Sequence, residues 1–347
     1  MSDTPVHGTV EPGFESVHAT FERNLADREL GAAVCAYVDG RKVVDLWGGW
    51  ADAARTREWQ HDTIVATFSA TKGMTATCAH LLVDRGLLDV DAPVAAYWPE
   101  FAQAGKDTIT VRMVLSHQAG LVYVPVPPEQ RWDWAARTDA LARHTPDWAP
   151  GTRHEYHGGT FGYLVGALVQ RIDGRTLDTF FREEVAEPLG ADFLLGVGPD
   201  DDHRCAEVTG PDDMVGGSNT PGWRTAAEGS ATGHGSAAGL ARVYAALARG
   251  GDVDGVRVLR PETIEAAAQE QPLEHGEGSA GDFGLGYMLL WKPYPGLGTG
   301  TFGHTGAGGF IGLANPRRRL GFGYVMNRMG SDGASPLLAA TYRLLAR

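Results

Sequence analysis

Lysine is the charged residue this chain has least of: four (Lys42, Lys72, Lys106, Lys292) against 26 Arg in 347 residues. Cysteine is scarcer still. Cys35, Cys78 and Cys205 are odd in number, far apart and form no C-x-x-C pair, which excludes a disulfide framework and implies reduced, buried thiols. No apolar run reaches membrane-spanning length. The polar stretch 1–15 lacks the apolar segment of a signal peptide, so the expected location is cytoplasmic with no membrane partner. No Lys/Arg run stands out and the net charge is −13, which argues against nucleic acid as a partner. There is no G-x-S-x-G, the signature of an α/β-hydrolase nucleophile, and no H-E-x-x-H. His154 and His157 are close, but no spacing elsewhere completes a metal site, so neither a metal nor another cofactor is expected. A G-x-G-x-x-G at 298–303 precedes strand-like sequence rather than a helix, so its dinucleotide context fails.

Against this background one tetrapeptide stands out: Ser69-Ala70-Thr71-Lys72, where a serine has a lysine three positions later. Almost everywhere else this chain places a cation, it uses arginine. Arginine keeps its proton in proteins, whereas a desolvated lysine can release one. Residues 72–85 carry apolar side chains at helical spacing (Met74, Cys78, Leu81, Leu82) and stop at Gly86. Ser69 is therefore predicted at the N-terminus of a helix, with the Lys72 amine on the same face, within reach of its hydroxyl. The free N–H groups and positive dipole end favour a developing oxyanion there.

A hydrophobic content of 43% and a charged content of 21% fit a globular chain of one large domain or two modest ones. A helix is predicted over 14–25, then strands 32–38 and 42–47 around an Asp39-Gly40 hairpin turn. From 87 to 221 the pattern is mainly helical with long Gly/Pro loops. Its clearest helix is 160–172, and Thr176 can cap another. Helical spacing returns at 237–248. Strands are predicted at 286–291, 309–314 and 320–326, and Ser335-Pro336 reads as the start of a last helix over 337–345. The expected fold class is α+β. An antiparallel sheet is completed by both chain ends (1–86 and 222–347) and flanked by N- and C-terminal helices. A mainly helical domain (87–221) is inserted, with the active site between the two.

Two further elements complete the chemistry. Tyr156, in Glu155-Tyr156-His157-Gly158, lies in a glycine-bordered loop before the 160–172 helix. A phenol and an ammonium have reference pKa values near 10, so Tyr156 and Lys72 can share a proton at low cost. His304-Thr305-Gly306-Ala307 lies between apparent strands among glycines, a mark of close approach by a ligand or another backbone. The Ala307 N–H is a candidate second oxyanion donor beside that of Ser69. His157, His304, Thr305 and Gly306 are candidate pocket residues. Tyr123, Trp132 and Trp134, in a Pro-rich loop, are read either as an apolar wall for the acyl or alcohol group or as loop-core residues. His117 reads as a structural hydrogen-bonding residue.

Taken together, Ser69–Lys72, Tyr156-His157 followed by Thr160-Phe161-Gly162-Tyr163, and His304-Thr305-Gly306 make the chain resemble the penicillin-recognising serine hydrolases of class C β-lactamase type. The likeness leans toward their esterase branch, the family VIII carboxylesterases. Thr110-Val111-Arg112, Leu115-Ser116-His117-Gln118-Ala119-Gly120-Leu121 and Asn315-Pro316 extend it over nearly the whole chain. The resemblance implies the β-lactamase/DD-peptidase-like fold and a Ser69 acyl-enzyme. There are two departures. Gly158 stands where β-lactamases have Asn, and His304 where they have Lys. Histidine, with a reference pKa of about 6.5, offers no fixed positive charge at pH 7 for a substrate carboxylate. Both departures point away from β-lactam and D-Ala-D-Ala substrates. The expectation is a serine esterase acting on a small-molecule ester or acyl substrate. The alternative is a transacylase or cyclase that passes the acyl group to an amine or alcohol with the same residues. A non-catalytic binding protein is a third reading. Which of Lys72 and Tyr156 is the base in each step stays open, as does the oligomeric state.

Overall fold

The computed structural model describes residues 5–275 and 281–345. Among them six strands form one antiparallel sheet: β1 (Val6–Val10), β2 (Gly31–Val38), β3 (Arg41–Gly49), β4 (Phe302–Gly306), β5 (Phe310–Asn315) and β6 (Leu320–Met326). Their order is β1-β3-β2-β6-β5-β4, so the N-terminal hairpin and the C-terminal meander join through β6 and β2. The hairpin turns at Asp39 and Gly40, both with positive φ, as an Asp-Gly turn requires. This is the expected α+β architecture, a sheet assembled from both ends of the chain.

The two sheet faces are built differently. Helix α1 (Glu15–Asp27) and the C-terminal helix, here α5 (Ala334–Leu345), pack together on one face, where Leu25 lies over Gly48. Helix α4 (Ala237–Ala248) covers the other. Here small residues meet small residues. Ala237, Ala241 and Ala245, spaced four apart on one stripe of α4, lie directly on Gly321 and Gly323 of β6. A methyl group at Gly321 would sit 2.3 Å from Ala245 N, so only glycine lets the helix approach this closely.

Between the sheet side and the helical block runs α2 (Thr71–Asp84), with α3 (Phe161–Asp173) packed against it. The sequence pattern gave α2 a single apolar face, yet it is buried on all sides from Thr71 to Leu82. Its polar residues are satisfied internally. Thr75 Oγ1 donates to Gly229 O, Thr77 pairs with Tyr287 OH, and His80 Nε2 donates to Leu285 O. The core is continuous across the sheet and the helical region. A small ladder ties in the inserted region: Val65–Ala66, just before Ser69, and Phe193–Leu194 both pair with His234–Gly235.

Two sequence expectations are corrected and one strand is added. Residues 286–291 form no strand, apart from bridges at Met288 to Gly303 and Phe283. Gly286 has φ +84° and lies against Ala76, so this segment turns onto α2 and leaves β4 as the sheet edge. The last helix begins at Ala334, not after Pro336. Ser335 sits in its first turn and donates to Asp332 Oδ1. β1 was not anticipated, because its residues are mostly exposed and one is glycine. The three cysteines are free and buried. Among the described residues no helix is long and apolar enough to cross a membrane.

Candidate active site

Ser69 lies in a single 3₁₀ turn, Phe68–Ala70, that feeds into α2. Phe68 has φ +47°, a left-handed conformation that a bulky residue adopts only under constraint. The turn lifts Ser69 out of the core. From Thr63 to Leu82 every other residue is buried, and Ser69 alone is partly exposed.

Lys72 follows one turn later and is fully buried. Its Nζ lies 3.4 Å from Ser69 Oγ, 2.7 Å from Gly158 O and 3.0 Å from Ser230 O. Three contacts thus hold the amine beside the Ser69 hydroxyl. Gly158 belongs to the Tyr156 loop. Ser230 is placed by Glu228, a buried carboxylate whose Oε1 accepts the backbone N–H groups of Ala231 and Thr232, and by its own Oγ, which accepts the Gly162 N–H at the start of α3. Burial raises the Glu228 pKa, and the nearby Lys72 opposes that rise. Neither Glu228 nor Ser230 was singled out in the sequence. They lie in a Gly-rich stretch without periodicity, and the acceptor facing Lys72 is a main-chain carbonyl, which no side-chain pattern records.

Tyr156 meets Lys72 by its ring face, with Nζ 4.9 Å from the ring centroid. Its hydroxyl is buried and makes no hydrogen bond to Lys72 or Ser69, so the proton sharing expected of the pair has no direct hydrogen bond to run through here. The Tyr156 ring is surrounded by His117 (5.0 Å between centroids), Phe283 (5.8 Å) and His304 (6.1 Å). Two more polar atoms in this cage, His304 Nε2 and His117 Nε2, are also buried without a hydrogen-bond partner. His304 Nδ1 donates to Thr305 O at 2.7 Å, which fixes the tautomer and leaves Nε2 as a bare acceptor. Burial, reinforced by the Lys72 charge, pulls the His304 pKa down to about 3 despite that bond. Among the described residues no group of His, Cys, Asp and Glu converges as a metal site.

The edge strand closes against the Ser69 turn. A methyl at Gly306 would sit 2.2 Å from Thr67 O, so β4 and the Ser69 turn touch backbone to backbone. Ala307 follows, exposed in the turn between β4 and β5. Thr305 is half-buried and its Oγ1 donates to Met288 Sδ.

The other pocket candidates separate. His157 does not line the cleft. It is fully buried, Nδ1 donates to Glu155 O and Nε2 accepts from Leu121 N, which makes it a strut of the Tyr156 loop with a pKa lowered to about 4 by burial. His117, at φ +62°, accepts the His157 N–H through Nδ1, the structural role read from sequence. Tyr123 is 74% exposed. Trp134 packs on Tyr163 and Gly166 of α3, within the helical block. Trp132 meets Trp223 edge-on, and Trp223 in turn meets Phe68, so it reaches the nucleophile turn only at second hand.

The chain is 37% identical to the esterase/β-lactamase LipL of Mycobacterium tuberculosis over 371 aligned positions, covering 93% of this chain and 83% of that protein. The crystal structure of a family VIII carboxylesterase superposes with a TM-score of 0.90 at 36% identity, covering 98% of this chain and 100% of that one. A penicillin-binding protein homologue from Caulobacter crescentus gives 0.88 at 36% identity, with the same coverage. The β-lactamase family profile matches residues 17–347, and the chain belongs to that family.

Proposed function

We propose that this chain is a serine esterase working through an acyl-enzyme on Ser69. The observation that carries this reading is the set of contacts around Lys72 Nζ. The carbonyls of Gly158 and Ser230 both accept from the Lys72 amine and hold it 3.4 Å from the Ser69 Oγ, where it can exchange a proton with the hydroxyl. In the forward step Ser69 Oγ bonds to the ester carbonyl carbon while its proton passes to Lys72. The backbone N–H groups of Ser69 and Ala307 hold the oxyanion, each such donor being worth about 2.7–4 kcal/mol in the transition state. As the C–O bond breaks, the Tyr156 hydroxyl protonates the leaving alkoxide, and the Lys72 ammonium restores the phenol. Water then attacks the acyl-enzyme by the reverse proton path. The three unpartnered polar atoms around Tyr156 support a site whose hydrogen bonds are completed by substrate.

His304 supports the preference for esters over β-lactams. A neutral imidazole with a pKa near 3 offers no positive charge to a substrate carboxylate. Similarity to a family VIII carboxylesterase leans the same way, whereas LipL is named for both activities.

A panel of p-nitrophenyl esters assayed beside a chromogenic cephalosporin tests the reading. Ester turnover well above cephalosporin turnover is expected, together with a fluorophosphonate adduct in the intact-protein mass that is lost in Ser69→Ala. No adduct and no ester turnover would overturn it. Product mass spectra in the presence of amines or alcohols separate hydrolysis from acyl transfer. Free acid as the sole product is expected.

A further inference from the structure

Lys72 is a buried amine with no carboxylate in contact. Its polar partners are one hydroxyl and two carbonyls, and among the described residues it forms no ion pair. Taking the Ser69 proton would place a full positive charge in the core, which is costly unless an opposite charge offsets it. Glu228 is a carboxylate that feels the Lys72 charge. It sits two residues before Ser230, in a loop clamped between α2 and α3. Gly229, at φ +75°, offers its carbonyl to Thr75 Oγ1, and a methyl at Gly162 would lie 1.9 Å from Glu228 O. Within this clamp Glu228 Oε1 gathers the N–H groups of Ala231 and Thr232, closing the turn that aims Ser230 O at Lys72. A glutamine carbonyl could accept the same two bonds. The geometry therefore accounts for an acceptor at position 228 but not for a charge, and Glu228 is only 4% exposed.

We propose that Glu228 is a positioning residue for acyl transfer, whose carboxylate both holds the Ser230 carbonyl on Lys72 and supplies the countercharge for the ammonium that Lys72 becomes. The proposal rests on the esterase reading, because it needs Lys72 as the proton acceptor. As Ser69 Oγ bonds to the acyl carbon, its O–H bond breaks and the proton goes to Nζ. The ammonium then faces the oxyanion on one side and the Glu228 carboxylate behind the Ser230 peptide on the other. No other neighbour takes this role. From α3, Tyr163 faces Glu228 with the Arg137 guanidinium over its ring, and Asp178 shares with Glu228 a small cavity of about 130 Å³ beside Trp132 and Trp134. Among the described residues Glu228 forms no ion pair with either arginine of this region, Arg131 or Arg137. On the Lys72 side lie the Tyr156 ring and three imidazoles, His117, His157 and His304, all kept neutral near pH 7 by burial.

Glu228→Gln in the intact protein separates charge from shape. It keeps the acceptor for Ala231 and Thr232 and removes the negative charge. The acid limb of the kcat/KM profile on a p-nitrophenyl ester should move to lower pH by about one unit, since an ammonium without its countercharge gives up its proton sooner. At the plateau kcat should fall about tenfold with KM within about twofold, because a weaker base acts in the transition state. The rate of fluorophosphonate labelling of Ser69 should show the same displaced limb. If Glu228→Gln does not fold, Glu228→Ala with added formate decides. The truncation opens space beside the existing cavity, and formate should raise kcat and return the acid limb to its wild-type position, whereas neutral formamide should do neither. An acid limb and kcat unchanged in Glu228→Gln, or equal effects of formate and formamide on Glu228→Ala, would overturn this inference while wild-type ester turnover keeps the esterase reading intact. A wild type with neither ester turnover nor a fluorophosphonate adduct would remove the esterase reading, and this inference with it.

Discussion

The two walls of the cleft handle polar atoms in opposite ways. On the α2 wall, the Lys72 amine has three partners, Ser230 is pinned from two directions, and the threonines of α2 are bonded inside the core. On the facing wall, Tyr156 OH, His117 Nε2 and His304 Nε2 are all buried without a partner. Behind it, His157 braces the Tyr156 loop through Leu121 N and Glu155 O. The lesson is a division of labour. One wall fixes Ser69 and Lys72, the proposed nucleophile and base, before substrate arrives. The other keeps hydrogen-bonding capacity in reserve.

That contrast is broken most severely at Lys72. Lys72→Ala removes the proposed base and strands two carbonyls. Turnover should fall by about a thousandfold or more, alongside a loss of about 1–3 kcal/mol in urea unfolding. Tyr156→Phe should behave differently in the second measurement. We expect kcat to drop by about 10²–10³, while the unfolding midpoint stays level or rises, because the deleted hydroxyl had no partner. A clear loss of stability in Tyr156→Phe would show that the hydroxyl is bonded after all, and the contrast would fail.

A buried acid far from the cleft gives a reference. Glu29 accepts from Tyr324 OH, and burial raises its pKa to about 7 from 4.5. The folded state then binds this proton more tightly than the unfolded chain. Stability is therefore greatest below pH 4.5 on this account and declines as pH rises to about 7, by up to ~3 kcal/mol. Glu29→Gln should remove that slope, which denaturant titrations at pH 5 and pH 8 would detect. The smallest expected effect is at His304. With a pKa near 3 it stays neutral across the working range, so pH–rate profiles of the wild type and of His304→Gln should share the same apparent pKa values between pH 5 and 9. A pKa near 6 in the wild type that disappears in the variant would show that the imidazole titrates and that its burial has been misjudged.

Much of this was readable in advance, for identifiable reasons. The hairpin at Asp39-Gly40, the 161–173 helix and the Ser69–Lys72 pair rest on local rules: turn chemistry, periodicity and i,i+3 spacing. Local rules failed where a distant partner decides. Residues 286–291 have strand-like composition, but Gly286 seats them on Ala76. His157 sits beside Tyr156 in sequence and looked like a pocket residue, yet its ring is consumed by Leu121 and Glu155. The second and third contacts of Lys72 are backbone oxygens 86 and 158 residues away, and no reading of side chains could have placed them.

The touch between Gly306 and Thr67 has a wider meaning. Because main chain abuts main chain there, the gap between nucleophile and sheet margin is set independently of which side groups decorate either. Position 304 can therefore exchange one chemical character for another without altering the gauge of the catalytic slot, a ready route by which one scaffold acquires new substrates.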